Sequence, residues 1–245
     1  MAQILTCPVP TKSFRGFCPL GIDLLRTLKR KRPNQWLEEQ KEMYEAKITG
    51  PLLEMVCTIS REFARFAPSY VTAPEKAVFQ IFGATGAPRR RPPAAIWIHR
   101  DAKGLRGACF YFHFTEKEAV VLGGVYTAEA ADLLAIRKLL QQHHMEFAAI
   151  LADARLKSVA GALRGEKLKR MPYGFSSSHP AADFVRRKQW YVATMLDMNL
   201  LSTERLLPAL VEHFEAMAPL VEFLNRPIDQ SAKKRKPVLR EFPRS

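Results

Sequence analysis

Apolar positions recur every three or four residues in the first third of the chain, every second residue in the middle, and every three or four again toward the end. From Phe17 a helical face forms from Ile22, Leu24, Leu25 and Leu28. Lys29-Arg30-Lys31-Arg32 follow, at the helix end where the dipole favours cations, and Pro33 stops the helix. Asn34 is suited to cap a second helix, with Glu38 and Glu39 in or near its first turn. That helix carries Trp36, Leu37, Tyr44 and Ile48 toward Gly50-Pro51, where it is expected to kink or restart. Beyond the break, Leu52, Val56, Ile59, Phe63 and Phe66 give a strong amphipathic signal.

The middle of the chain reads as strands. Ala77–Phe82, Ala94–His99, Ala108–Phe114 and Ala119–Tyr126 are short, rich in aromatic and branched residues, and separated by turn chemistry. The links Lys103-Gly104 and Glu116-Lys117-Glu118 are compact and polar, so adjacent strands are expected to pair antiparallel. Gly83–Pro93 reads as a mobile basic loop. Thr127 is expected to cap a helix using Leu133, Leu134, Ile136 and Leu140, followed by a helix around Glu146–Ala154 with Phe147, Ile150 and Leu151. A loop-rich stretch over 155–179 leads to a short helix over Pro180–Lys188 and a strand over Trp190–Leu196. Ser202 or Thr203 caps the last helix, whose stripe is Leu207, Leu210, Phe214, Met217, Val221 and Leu224, and which Asn225 and Pro227 are expected to end.

Helices, then a block of strands, then helices argue for an α+β fold: an antiparallel sheet of about five strands packed with N-terminal and C-terminal helices. The expected organisation is an irregular arm over 1–16, a single domain over 17–226, and a basic, disordered tail over 227–245 containing Lys233-Lys234-Arg235-Lys236.

Charge changes this picture more than composition does. Hydrophobic residues make up 47%, ordinary for a globular chain, but the formal net charge is +14. Such a balance favours anionic partners: nucleic acid or another polyanion, an acidic surface, or phosphorylated small molecules. Cys7, Cys18, Cys57 and Cys109 have no metal-binding spacing, and Cys57 and Cys109 fall within apolar patterns as small hydrophobes. The sequence has no secretory leader pattern and no stretch of transmembrane length, so the expectation is a reduced, cytoplasmic protein without a membrane span.

Several motifs fail on inspection. His99-Arg100-Asp101 echoes a kinase catalytic loop but lacks the following Asn and a downstream Asp-Phe-Gly, and reads better as a strand end. Gly83-Ala84-Thr85-Gly86 is too short for a phosphate loop, and Gly123-Gly124 marks a bulge or a close backbone approach. The histidines form no ligand array, so no metal and no cofactor is expected. His113, between Phe112 and Phe114, reads as a hydrogen-bonded structural residue in preference to a general base.

The basic clusters carry the remaining chemistry. Arg89, Arg90 and Arg91, then Lys167 through Lys169 and Arg170, then Arg186, Arg187 and Lys188 come from separate segments that could converge into an anion-binding surface. Tyr173, Trp190 and Tyr191 are interleaved aromatics of the kind that stack on bases. The alternative is a set of solvated faces, with Arg186 to Lys188 complementing a helix end. Ser176 to Ser178, before Pro180, would leave amides free at a helix start, either for an anion or for a simple cap. Tyr111, His113 and His179 are candidate pocket residues.

The chain resembles a widespread, mainly bacterial family, domain of unknown function 2461. The resemblance runs in order through Asn34-Gln35-Trp36-Leu37, Tyr44, Pro51-Leu52-Leu53, Phe110-Tyr111-Phe112-His113, Leu122-Gly123-Gly124 and Tyr126. It is densest at Leu168-Lys169-Arg170-Met171-Pro172, Gly174-Phe175, His179-Pro180-Ala181, Asp183 and Arg187-Lys188, and closes with Ala218-Pro219-Leu220 and Leu224-Asn225. It implies no established activity. Members typically carry a charged Arg-x-x-Arg-Asp-x-Arg-Phe signature where this chain reads Gln80-Ile81-Phe82-Gly83-Ala84-Thr85-Gly86-Ala87, then Arg89-Arg90-Arg91-Pro92. The resemblance therefore implies a divergent member in which any activity tied to that signature is altered or lost.

Three functional readings follow. The first is anion or nucleic-acid binding through the basic clusters. The second is an enzyme acting on a phosphorylated or carboxylated small molecule, using Tyr111, His113 or His179 beside Arg187 and Lys188. The third is a protein-interaction scaffold. The sequence does not decide whether the chain is an enzyme, nor its oligomeric state.

Overall fold

The computed structural model describes residues 14–28, 36, 39–79, 92–100, 102 and 107–234. The expected basic runs Lys29–Arg32 and Arg89–Arg91, the Asn34 cap, the 1–13 part of the arm and the tail beyond 234 lie outside these residues.

The architecture is α+β. Helix α1 (Pro19–Leu28) precedes a one-turn helix α2 (Lys41–Tyr44), a π-helical turn (Glu45–Thr49) and α3 (Gly50–Phe66). Pro51 has no amide to donate to the carbonyl four residues back. The chain accommodates it by widening just before: the Gly50 amide donates to the Glu45 carbonyl, five residues away. A 3-10 turn (Pro68–Tyr70) and a one-turn helix α4 (Pro74–Ala77) lead into the sheet.

The sheet runs β1 (Val78–Phe79), β2 (Ala94–Ile98), β3 (Cys109–Phe114), β4 (Ala119–Val125) and β5 (Trp190–Met195), every neighbouring pair antiparallel. Four strands are full length and β1 is a two-residue edge. Period-two alternation sorts β3: Phe110, Phe112 and Phe114 are fully buried, whereas Cys109, Tyr111 and His113 lie half-buried on the other face. Between β4 and β5 the chain makes α5 (Ala130–Gln142), α6 (His144–Ala152), α7 (Ala154–Ala160) and the short α8 (Ala182–Val185). A 3-10 turn (Met198–Ser202) and the long α9 (Leu206–Lys234) complete it.

α3 and α9 cover the Phe110/Phe112 face. Phe63 of α3 sits with Trp97, Phe110 and Phe214 at ring separations of 5.6, 4.8 and 5.6 Å, within the range aromatic clusters prefer, the first two pairs tilted and the third edge-on. The close approach expected at Gly123-Gly124 is present. A Cβ on Gly123 would lie 2.8 Å from that of Met217 on α9. At Gly124, φ is +129° and a Cβ would lie 2.3 Å from the Trp190 carbonyl oxygen.

Several expected boundaries are corrected. Thr127 does not cap α5, which starts at Ala130 with Glu129 at the N-cap position and no side-chain cap bond. Asn225 and Pro227 do not end α9, which continues through Pro219 and Pro227 to Lys234. The fully buried Leu220, Val221, Phe223 and Leu224 offset the roughly 3 kcal/mol an interior proline costs. Asn225 instead points inward: its Oδ1 accepts from the Ala108 amide and its Nδ2 donates to the Ala108 carbonyl and to Tyr70 Oη. Cys57 is buried, as expected, but disulfide-bonded, a departure from the reduced state expected of it.

Candidate functional site: a cationic ladder beside the sheet edge

Residues 164–168 extend the sheet past β5. Arg164 bridges Tyr191 and Lys167 bridges Arg187, both antiparallel, with the Leu168 amide on the Arg186 carbonyl and the Lys188 amide on the Glu166 carbonyl. Gly165 permits the turn of this strap: φ is +126° and a Cβ would strike the Gln189 carbonyl at 2.3 Å. The ladder explains why the helix expected over Pro180–Lys188 shrinks to Ala182–Val185. The Arg186 carbonyl and the Lys188 amide are recruited sideways and are lost to any further helical turn.

The consequence is convergence. Lys167, Arg186 and Arg187 surround one carboxylate, Asp183, at 2.6, 3.5 and 3.9 Å, and Lys188 pairs with Glu166 at 3.0 Å. The Lys167 hydrogen bond, helped by the neighbouring guanidinium groups, holds the Asp183 carboxyl below its usual range. Between 164 and 188 there are seven cations (Arg164, Lys167, Lys169, Arg170, Arg186, Arg187, Lys188) against two carboxylates, so five positive charges are uncompensated locally. Arg187 is the most deeply set, with only 11% of its side chain exposed. Its Nη1 donates to the Gly165 carbonyl, and burial lowers its affinity for the proton against the opposing pull of Asp183. Arg137 of α5 supports the strap from beneath, donating to the Val185 and Arg187 carbonyls at 3.0 and 3.1 Å. The Nε–H donors of both Arg186 and Arg187 are buried without an acceptor.

Lys169 and Arg170 lie exposed at the end of the strap. Next comes a tight turn closed by the Phe175 amide on the Pro172 carbonyl, with Gly174 at φ +83°. Met171 and Phe175 pack against the core while Tyr173 between them is fully exposed. The other two aromatics of the expected interleaving behave differently. Trp190 is fully buried with its Nε1 donating to the Phe184 carbonyl, so it is a core residue and cannot stack on a ligand. Tyr191 is half-buried and meets Tyr126 edge-on at 5.2 Å.

Three amides in and after the Ser176–Ser178 stretch are already bonded. The Ser178 amide donates to Ser176 Oγ, the Ala181 amide to His179 Nδ1 and the Ala182 amide to the His179 carbonyl. His179 thus holds the turn that precedes α8, whose N-cap position is Ala181, with its ring 5.2 Å from that of His144. Tyr111 and His113 lie together on the half-buried face of β3, rings 5.4 Å apart, with His113 Nε2 3.5 Å from Glu118 Oε1 and His113 Nδ1 buried without a partner.

Asp183 falls within the family resemblance, but its role as the hub, and that of Arg137 as the brace, were not read from sequence. Asp183 lay three and four residues before Arg186 and Arg187, the spacing at which helical side chains meet, and that signal was available. Arg137 had none: its role depends on α5 lying under the strap.

Among the described residues no group of three or more His, Cys, Asp or Glu could hold a metal ion, and no helix is long and apolar enough to cross a membrane. The family model described as conserved hypothetical protein (DUF2461) matches residues 21–223, and the chain belongs to that family. No curated protein and no solved structure matches it.

Proposed function

We propose that this DUF2461 protein binds polyanions, single-stranded nucleic acid in particular, on the surface formed by the 164–170 strap and the 186–188 segment. The observation that carries this reading is the pair of buried, acceptor-less Nε–H donors on Arg186 and Arg187 within a local surplus of five positive charges. An unsatisfied buried donor costs about 1–3 kcal/mol, so an anionic oxygen that reaches it gains both Coulomb attraction and a missing hydrogen bond. Phosphate supplies such oxygens in series along a strand. Tyr173, held out on a turn anchored by Met171 and Phe175, offers a face for a base, worth roughly 1–3 kcal/mol per stacked base.

Fluorescence anisotropy with labelled single-stranded DNA and RNA across a salt series tests this. Contacts to three or four phosphates give a slope of log affinity on log salt of about −2 to −3 for single strands. Tyr173→Ala weakens binding about tenfold without changing that slope, since stacking releases no counterions. Absence of binding at low salt ends the proposal.

A second reading rests on His113. A carboxylate beside one imidazole nitrogen, with the other nitrogen unpartnered, is the arrangement of an oriented general base. That enzyme would act on a phosphorylated or carboxylated small molecule. It predicts a hydrolase or isomerase turnover that His113→Gln abolishes and Glu118→Gln reduces, each with the thermal midpoint unchanged. Turnover surviving in His113→Gln would remove it.

A further inference from the structure

The strap carries aromatic rings at both ends: Tyr173 beyond Arg170, and a Tyr126–Tyr191 pair beside Arg164. Arg164 and Tyr191 exchange backbone hydrogen bonds of 2.7 and 3.5 Å. Residues opposed in this way put their side chains on the same face, so the exposed Arg164 side chain and the Tyr191 ring emerge together. On its other flank Tyr191 is opposed by Gly124, which brings no side chain. Tyr126, two residues beyond Gly124, meets the Tyr191 ring edge-on at 5.2 Å and remains 53% exposed.

One side chain ties this pair to the ladder. Gln189 donates from Nε2 to the Tyr126 carbonyl at 2.9 Å, and its Oε1 accepts from the Glu166 amide at 3.3 Å. Tyr126, Tyr191 and the start of the strap are thereby joined before any ligand arrives, which lowers the ordering cost of using the ring as a contact. Lys167, Lys169 and Arg170 lie exposed between the two aromatic ends. Arg164 to Arg170 spans at most about 20 Å at the rise of a strand. A nucleic-acid strand places a phosphate every 3.4 Å or so when stacked and more widely when extended, so about six nucleotides or fewer cross that distance.

We propose that the strap is a two-platform site for single-stranded nucleic acid. One base stacks on Tyr173 and another on Tyr126, with Tyr191 behind it, while the phosphates between them run along Arg164 to Arg170. The assignment rests on the polyanion reading and adds to it a second aromatic contact and a footprint. Bases stacked inside a duplex have no open face to offer, so the site favours single strands.

Two hexanucleotides of thymidylate, one carrying 2-aminopurine at its 5′ end and the other at its 3′ end, test this with the full chain at low salt. Binding to the parent chain should quench both labels. Tyr126→Ala should weaken binding about tenfold and restore fluorescence at one end; Tyr173→Ala should do the same at the opposite end. The double variant should lose about a hundredfold. Tyr126→Phe, which keeps the ring, should bind as the parent does, and every variant should keep the parent's thermal midpoint. If no hexanucleotide binds the parent, the polyanion reading falls and the second platform with it. If the parent binds but Tyr126→Ala binds as tightly, or both alanine variants act on the same end, the second platform is refuted while the polyanion reading stands.

Discussion

Asn225 offers the sharpest test of how the long helix is tied to the sheet. It is 1% exposed, and its amide spans the peptide of Ala108 just before β3: 2.8 Å to the amide nitrogen, 2.8 Å to the carbonyl oxygen, and 2.6 Å to Tyr70 Oη. Truncation by Asn225→Ala leaves the donor and acceptor of the fully buried Ala108 without partners. Each orphan costs about 1–3 kcal/mol. Tyr70 keeps its own donation to the Val221 carbonyl at 3.4 Å, so its loss is smaller. The expected destabilisation is about 3–5 kcal/mol, a large share of a typical total of about 5–15 kcal/mol. In a chain of this size it lowers the thermal midpoint by about 6–20 °C. Urea denaturation followed by circular dichroism measures the first quantity. Hydrogen exchange at the Ala108 amide locates it, since protection there should collapse toward that of a surface amide. Asn225→Asp sharpens the test through its pH dependence. Its carboxylate still accepts from the Ala108 amide but faces the Ala108 carbonyl with no donor, and burial raises its pKa above the unfolded value. The variant is therefore more stable at pH 5 than at pH 8, the reverse of the usual effect of a paired carboxylate. A loss below about 1 kcal/mol in Asn225→Ala, with Ala108 still protected, would refute the reasoning.

Asp183→Asn removes the charge at the centre of the strap but keeps its shape; oligonucleotide binding should tighten and its salt slope steepen in anisotropy titrations. Because the Asp183 carboxyl is held below its unfolded value, its contribution to stability is present above about pH 4 and is lost as pH falls further. Acid unfolding of the parent chain should show that loss and Asp183→Asn should not. Gly174→Ala should cost only about 1–2 kcal/mol, the strain of a left-handed residue in open space. Gly124→Ala, which meets backbone at 2.3 Å, should fail to give a two-state urea transition. Burial pushes the Cys109 thiol up to about 12, so iodoacetamide at pH 8 should leave Cys109 unmodified until the chain is unfolded, as read by peptide mass.

Strand identity was legible because the pattern is local: the alternation in Cys109–Phe114 sorts inner from outer face without any knowledge of partners. The last helix was legible for the same reason, but its end was not. Proline and asparagine are end signals by propensity; α9 nonetheless runs on through Pro227, and at Asn225 hydrogen bonding to Ala108 overrode propensity. In the candidate site, the meeting of Arg186 and Arg187 with Asp183 follows from local helical spacing, whereas the arrival of Lys167 on the same carboxylate depends on strap pairing across twenty residues of chain. Trp190 shows the converse error: an aromatic beside a basic run looks like a stacking residue, and only burial distinguishes it from core.

The strap serves two ends, and this determines which substitutions inform on binding. Arg187 holds the Gly165 carbonyl, and Arg137 holds those of Val185 and Arg187, so removing either guanidinium loosens the ladder before it affects any ligand. Loss of binding in Arg187→Ala would follow from either cause. Lys169 and Arg170 are exposed and, among the described residues, form no hydrogen bond or ion pair with the ladder, so they separate the two. Lys169→Gln/Arg170→Gln leaves seven cations as five against the same two carboxylates, with the strap and Asp183 intact. Surface substitutions of this kind shift stability by no more than about 0.5 kcal/mol. If both side chains reach phosphate, the salt slope falls by about 1.4 for a single strand. An unchanged slope with an unchanged thermal midpoint would place the anion deeper, on the two Nε donors of Arg186 and Arg187 alone. An unchanged slope and affinity in the double variant together with Tyr173→Ala would remove the strap as the binding surface.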